Sequence, residues 1–175
     1  AMLNTDHAGL DRLALAAAPG AGGLTLLPYL DGERTPNLPN ATGSLHGLTR
    51  SNATPENLAR AVVEGMLLGL AAAVDAVRAA GCPVHRVLLI GGAAASVAVQ
   101  EVAADVFGVP VAIPSPGEYV AVGAARQAAW ALAGGDAPPA WDVAVDVTID
   151  PDEAGRARAA EVRGRYAATV AATYP

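Results

Sequence analysis

The sequence predicts an α/β fold, with a mixed sheet flanked by helices. Two observations carry this. In the second half, short apolar runs alternate with helical patterns, which argues for parallel strand pairing there. In the first half, two strand-like runs are joined by a short connection, which suits an antiparallel pair. The order of core elements reads β-β-α-β-α-β-α.

The elements follow in turn. Residues 6–18 place Leu10, Leu13, Ala14 and Ala17 at helical spacing, and Pro19-Gly20-Ala21-Gly22-Gly23 breaks that helix. Leu24 to Leu30 reads as a strand, with Pro28 marking an edge or bulge. Residues 31–43 form a polar loop, and 44–49 a second short strand. Thr54-Pro55-Glu56 is a strong helix start, with a capping threonine, proline at the first helical position and an acid in the first turn. This helix runs to about Ala80, with Leu58, Ala61, Val62, Gly65, Gly69, Ala72, Ala73 and Ala76 on one expected face, and Gly81 ends it. Each of Gly65 and Gly69 costs up to ~1 kcal/mol in helix propensity. A close approach to a sheet is the simplest compensation.

Residues 86–107 are the centre of the reading. Val87 to Ile90 is a short buried-strand run that stops at Gly91-Gly92. A helix then starts near Ser96, with Val99, Val102, Ala103 and Val106 on one stripe, and Gly108 ends it. The glycines remove Cβ atoms where a flat ligand could lie on the backbone. The helix N-terminus behind them carries free N–H groups and a positive dipole end. Such a turn suits a nucleotide, but any tight βα turn also favours glycine. On these residues alone the two readings stand level. Neither G-x-G-x-x-G nor G-x-x-x-x-G-K-[ST] occurs, and the chain has no lysine.

Val109 to Ile113 is a further strand, and Pro114-Ser115-Pro116-Gly117 a turn. A helix runs from Glu118 to about Ala133, stopped by Gly134-Gly135, with Gly123 expected to let it approach the Gly91-Gly92 turn. Residues 136–142 read as a linker. Val143, Val145, Val147 and Ile149 alternate as an edge strand, and Asp150-Pro151-Asp152-Glu153 opens a terminal helix.

Composition bounds the function. At 175 residues there is room for a real core, and with 53% hydrophobic but 4% aromatic residues it is an Ala/Val/Leu core. Net charge is −6, and without a basic stripe no nucleic-acid partner is expected. The single Cys82 excludes an internal disulfide and a cysteine-based zinc site. Arg60, Glu64, Asp75 and Arg78 interrupt helix 56–80, so no membrane span is expected, and with no signal peptide the expected compartment is the cytoplasm. Ala1 before Met2 reads as the remnant of an expression tag. Asp31, Glu33 and Glu118 lack metal-ligand spacing, and no metal site is expected. His46 reads as a packed histidine, and the Glu33-Arg34 pair as loop support.

Several motifs together carry a resemblance. They are Pro19-Gly20-Ala21-Gly22-Gly23-Leu24, Leu27-Pro28-Tyr29-Leu30-Asp31-Gly32-Glu33-Arg34-Thr35-Pro36 and Gly43-Ser44-Leu45-His46-Gly47-Leu48. Asn57, Leu58, Ala61, Val62, Val63 and Glu64 follow at fitting spacing, then Leu89-Ile90-Gly91-Gly92-Ala93-Ala94-Ala95-Ser96 and Glu118-Tyr119-Val120-Ala121-Val122-Gly123-Ala124-Ala125. In this order they resemble the C-terminal part of an FGGY-family carbohydrate kinase, most like the xylulokinases. The resemblance implies an incomplete C-terminal domain of the ribonuclease-H-like (actin-like ATPase) fold. It implies ATP/ADP with Mg²⁺ as cofactor and phosphoryl transfer to a sugar such as D-xylulose. It puts Gly91, Gly92, Ala93 and Ser96 at the adenine, and so tips the central turn towards function.

The family's proton-accepting aspartate, in a Gly-Asp motif, and its phosphate-holding hairpins lie upstream of the matched segment. No catalytic residue is therefore assigned, and the isolated chain is expected to be inactive. Three parts are expected: an N-terminal helix and linker (1–23), the nucleotide-side domain (24–135) and a C-terminal extension (136–175). The expected partners are an adenine nucleotide, a separately encoded N-terminal kinase part, or a second copy meeting an unpaired strand edge in the 24–49 region. The other reading is a non-catalytic remnant or an oligomeric nucleotide-binding module.

Overall fold

The chain begins its packing with α1 (His7–Ala16), in a computed structural model that describes residues 3–175. Asp6 caps α1, its Oδ1 accepting from Gly9 N at 2.7 Å. A 3-10 turn at Ala21–Gly23 leads into β1 (Thr25–Leu27), which pairs antiparallel with β2 (Ser44–His46) in the register Thr25 to His46 and Leu27 to Ser44. The strands are shorter than expected, because Pro28 stops β1 and Gly47, at φ 75°, turns the chain after β2.

Helix α2 (Pro55–Ala79) starts as the sequence predicts, with Thr54 Oγ1 accepting from Asn57 N at 3.2 Å. Then come β3 (Val87–Leu88), α3 (Val97–Phe107), β4 (Val111–Pro114), α4 (Tyr119–Ala133), β5 (Val145–Ile149) and α5 (Glu153–Thr173). Strand β3 lies parallel to β4, and β5 antiparallel to β4 at the edge. Strands and helices thus give a mixed α/β arrangement, but as two sheets, β1-β2 and β3-β4-β5. Gly108 and Gly134 end α3 and α4 in left-handed conformation, as glycine does just past a helix.

The core forms where α2 lies against α1, α3 and β1. Ala59, Val63, Leu67 and Ala71 of α2 meet Leu27, the α3 stripe Val99, Val102, Ala103 and Val106, and Val111 of β4 in one buried cluster. This corrects the expected face of α2. Ala61 and Gly65 are buried, but Ala72, Ala73 and Ala76 are exposed. The first turns of α2 are covered on several sides, while the last turns have few neighbours, so one continuous stripe does not describe the helix.

The two helical glycines also part company. A Cβ on Gly65 would lie 2.5 Å from Leu26 O, which is the close approach to a strand that its cost required. A Cβ on Gly69 would meet only the Tyr166 hydroxyl of α5, at 3.7 Å, so no strand accounts for that glycine.

A second correction concerns α4. No residue of this helix is buried, and a Cβ on Gly123 would find nothing within 4 Å. Gly123 therefore does not bring α4 onto the Gly91-Gly92 turn. Val120 and Leu132 are 83% and 91% exposed. The helix is tied instead to the segment that follows it, by Arg126 Nε to Pro139 O and Trp130 Nε1 to Gly135 O, both 2.6 Å.

Helix α5 is polar overall but packs through one stripe, Gly155, Ala159, Val162 and Tyr166. Arginines fix it further. Arg163 Nη1 donates to Val106 O at 2.7 Å and Nη2 pairs with Asp75, while Arg165 donates to Gly20 O at 2.8 Å and Thr25 Oγ1 at 3.1 Å. Among the described residues no helix is long and apolar enough to cross a membrane.

Candidate functional site

Strand β3 delivers the candidate turn. Leu89 N donates to Ala112 O at 2.9 Å, so the strand stays paired with β4 up to the glycines. Gly91 then takes φ 89° and ψ 179°, a backbone conformation that side chains disfavour. Gly92–Ala95 form a 3-10 turn, closed by Ala94 N to Gly91 O and Ser96 N to Ala93 O, both 3.1 Å. Gln100 Nε2 adds a bond to Ala94 O at 2.7 Å. Gly91, Gly92 and Ala93 are exposed, and Ser96 is half-buried. The structure thus brings all four sequence-predicted residues onto one turn at the C-terminal end of a parallel strand, where ligands sit in open α/β sheets.

The glycines are not equivalent. Gly91 is required by its backbone angle. Gly92 has no left-handed angle, and a Cβ there would meet nothing within 4 Å. Among the described residues nothing calls for a glycine at 92. A flat ligand lying on the backbone would.

Ser96 is more committed than its sequence pattern implies. Its Oγ caps α3, accepting from Val99 N at 3.1 Å, and donates to Asp11 Oδ1 at 2.5 Å. Asp11 Oδ2 accepts from Val97 N at 3.0 Å. Sequence reasoning missed Asp11, because its partners lie 85 and 86 residues away and no local pattern marks it.

A second polar centre was also hidden. Glu64 is 4% exposed. Its Oε1 accepts from Gly20 N at 2.8 Å and from Arg60 Nε at 2.6 Å, while Oε2 is buried without a hydrogen-bond partner among the described residues. Helical spacing i, i+4 made the Arg60 pair foreseeable, whereas the Gly20 bond spans 44 residues. Nearby, burial and then the Asp152 carboxylate push the Asp105 carboxyl above its ordinary range. The folded chain therefore holds the Asp105 proton more tightly than the unfolded chain does, so ionising Asp105 as pH rises weakens the fold.

Of the remaining candidates, His46 and Glu33 have structural partners. His46 Nε2 lies 2.8 Å from Ser44 Oγ. Glu33 Oε1 accepts from Arg34 N at 2.7 Å and Thr35 N at 3.2 Å, so the glutamate rather than the arginine supports that loop. Glu118 makes no capping bond to α4. No group of three or more His, Cys, Asp or Glu gathers among the described residues.

Comparison with known proteins fits this geometry. The model for the FGGY family of carbohydrate kinases, C-terminal domain, matches residues 4–132. The chain belongs to the FGGY family of carbohydrate kinases. It is similar to the xylulose kinase of Streptomyces coelicolor, 43% identical over 160 residues, covering 89% of this chain and 32% of the relative. The solved xylulose kinase from Bifidobacterium adolescentis is 48% identical with a TM-score of 0.76, covering 93% of this chain and 33% of that one. The xylulose kinase from Rhodospirillum rubrum superposes with a TM-score of 0.80 at 32% identity, over 97% of this chain and 34% of that one. The chain thus spans about a third of the length of the curated relatives it matches. Its fold is the actin-like ATPase fold of the FGGY C-terminal domain, present as a partial domain.

Proposed function

We propose that the Gly91–Ser96 turn is the adenosine side of an ATP-dependent sugar kinase site. ATP, accompanied by Mg²⁺, is the phosphoryl donor, and D-xylulose the acceptor, giving D-xylulose 5-phosphate. The observation that carries this reading is Gly92, a glycine that neither backbone angle nor packing requires. The xylulose kinases among the relatives support the choice of sugar. The work is assigned to the cytoplasm, where ATP is abundant.

In this reading Gly91, Gly92 and Ala93 offer backbone to one face of the adenine, and Ser96 fixes the start of α3 behind it. One covered face and one wet face give low affinity, in the millimolar range. Titration of the isotope-labelled chain with ADP is the test. The amides of Gly91, Gly92, Ala93 and Ser96 are expected to shift together. If they stay still at millimolar ADP while residues elsewhere move, the site lies elsewhere.

The 24–49 region is proposed as a contact for a second polypeptide, a second copy in the simplest case. Among the described residues β1 and β2 pair only with each other. They border a groove of about 630 Å³ lined by Leu10, Leu26, Leu45, Leu58 and Val62. Apolar surface and open strand edges both favour association. Light scattering at low micromolar concentration is expected to give a dimer or larger. A monomer whose 25–27 and 44–46 amides exchange slowly would overturn this.

A further inference from the structure

The candidate turn is tied to a residue outside the motifs that carry the sequence resemblance. Asp11 sits midway along α1. Its carboxylate bridges the Ser96 hydroxyl (2.5 Å) and the Val97 N–H (3.0 Å), the first amide of α3. Ser96 Oγ passes the tie on by accepting from Val99 N. The other hydrogen bonds of the turn, from Ala94 N to Gly91 O, Ser96 N to Ala93 O and Gln100 Nε2 to Ala94 O, are internal to residues 91–100. Such bonds set the shape of the turn but not its place on the domain. The neighbouring helix α4 does not pack over the glycines. Among the described residues, Asp11 is the hydrogen-bonding link between the 91–97 segment and a separate element.

The link is also well founded. Helix α1 is anchored in the core through Ala14, which is fully buried, and packs against α2 and α3. A carboxylate at the first turn of a helix meets free N–H groups and the positive dipole end. Charge-assisted bonds of this kind are stronger than neutral ones.

We propose that Asp11 is the positioning residue of the turn. By holding Ser96 and the first amide of α3, it fixes where Gly91, Gly92 and Ala93 present their backbone. This rests on reading the turn as an adenine-nucleotide site, and the experiment separates the two.

The full chain is compared with Asp11→Ala, Asp11→Asn and Asp6→Ala. Asp6 caps the same helix α1 through Gly9 N but does not touch the turn, so Asp6→Ala controls for a loosened α1. ADP affinity and hydrogen exchange at the Val97 and Val99 amides are read together. Asp11→Ala is expected to weaken ADP binding about tenfold, the worth of one charge-assisted hydrogen bond. Asp11→Asn is expected to lose about threefold, since it keeps an oxygen for the Ser96 hydroxyl but turns a donor towards Val97 N. Asp6→Ala is expected to leave ADP affinity within about twofold, because a surface cap far from the ligand changes stability and not the site. Exchange at Val97 should quicken in Asp11→Ala and not in Asp6→Ala.

Equal exchange at Val97 in the two alanine variants, or equal loss of ADP affinity, would overturn the inference. If the unaltered chain binds no ADP, the nucleotide reading falls. Exchange at Val97 then still decides the tie: quickened only in Asp11→Ala, it stands, and otherwise it is abandoned.

Discussion

Around Pro19–Gly23 the backbone is crowded, and around Gly91–Ala93 it faces open space. At the first turn, Gly20 gives its N–H to Glu64 and its carbonyl to Arg165. A Cβ on Gly22 would come within 3.0 Å of Asn57 Nδ2, and one on Gly47 within 2.5 Å of Gly23 O. Asn52 Nδ2 bonds Gly22 O and Gly47 O at 3.0 and 2.9 Å, tying the turn to the end of β2. At the second turn, Cβ atoms on Gly91 and Gly92 would meet nothing within 4 Å. In the first set Gly22 is crowded by Asn57 and Asn52, while Gly20 and Gly23 are called for by their left-handed backbone angles. The second leaves one glycine, Gly92, that the described residues do not explain. Two motifs of similar composition thus differ: the first is accounted for within the fold, and the second is the proposed ligand site.

Glu64 offers the strongest way to test the first half of that contrast. Glu64→Ala removes the partner of Gly20 N and leaves Arg60, whose side chain is 11% exposed, without its carboxylate. Losing one partner of a buried ion pair costs about 3–5 kcal/mol. Chemical denaturation should show a loss of that order. A loss under about 1 kcal/mol, the size of a surface pair, would mean the Gly20 corner is not held from α2.

Much of this contrast was written locally, and part of it was not. Thr54-Pro55-Glu56, the α3 stripe and the stops at Gly108 and Gly134 depend on neighbours within a few residues, and they stand where the sequence puts them. The same is true of the Gly91–Ser96 turn. Glu64 was read as an interruption of an apolar helix and as the acid of a family motif, but its role was not legible, because the Gly20 amide it accepts from lies 44 residues earlier. Asp11 was invisible for the same reason. The outer face of α2 was misread beyond Ala71, since helical periodicity states which residues share a side but not where the neighbouring elements end. The terminal helix was recognised from Asp152-Glu153. That its arginines reach back to Gly20, Thr25 and Val106 depends on tertiary contacts that no local pattern encodes.

Gly65 tests the crowded region with a smaller effect. A methyl group there would press on Leu26 O at 2.5 Å, so α2 must move away from β1. Overpacking of this kind costs about 1–3 kcal/mol, against which alanine gains about 1 kcal/mol of helix propensity. A net loss of up to about 2 kcal/mol is expected in urea denaturation. If Gly65→Ala is as stable as the unaltered chain or more so, the contact between α2 and β1 is looser than described.

The smallest change in stability carries the sharpest test of the open region. Gly92→Ala adds a methyl group into empty space at a residue without a left-handed backbone angle, so stability should stay within about 0.5 kcal/mol. Gly91→Ala is the companion variant. It adds the same methyl group into the same kind of space, but at φ 89° and ψ 179°, where a side chain costs about 1–3 kcal/mol. The two variants therefore separate in denaturation even though they are adjacent. In binding they should converge. A base lying on the backbone cannot keep its contact with a Cβ beneath it, so both are expected to weaken ADP at least about tenfold, the equivalent of ~1.4 kcal/mol. A Gly92→Ala chain that is stable and binds ADP as before would leave Gly92 without a ligand to explain it, and the nucleotide would have to be sought on another surface of the domain.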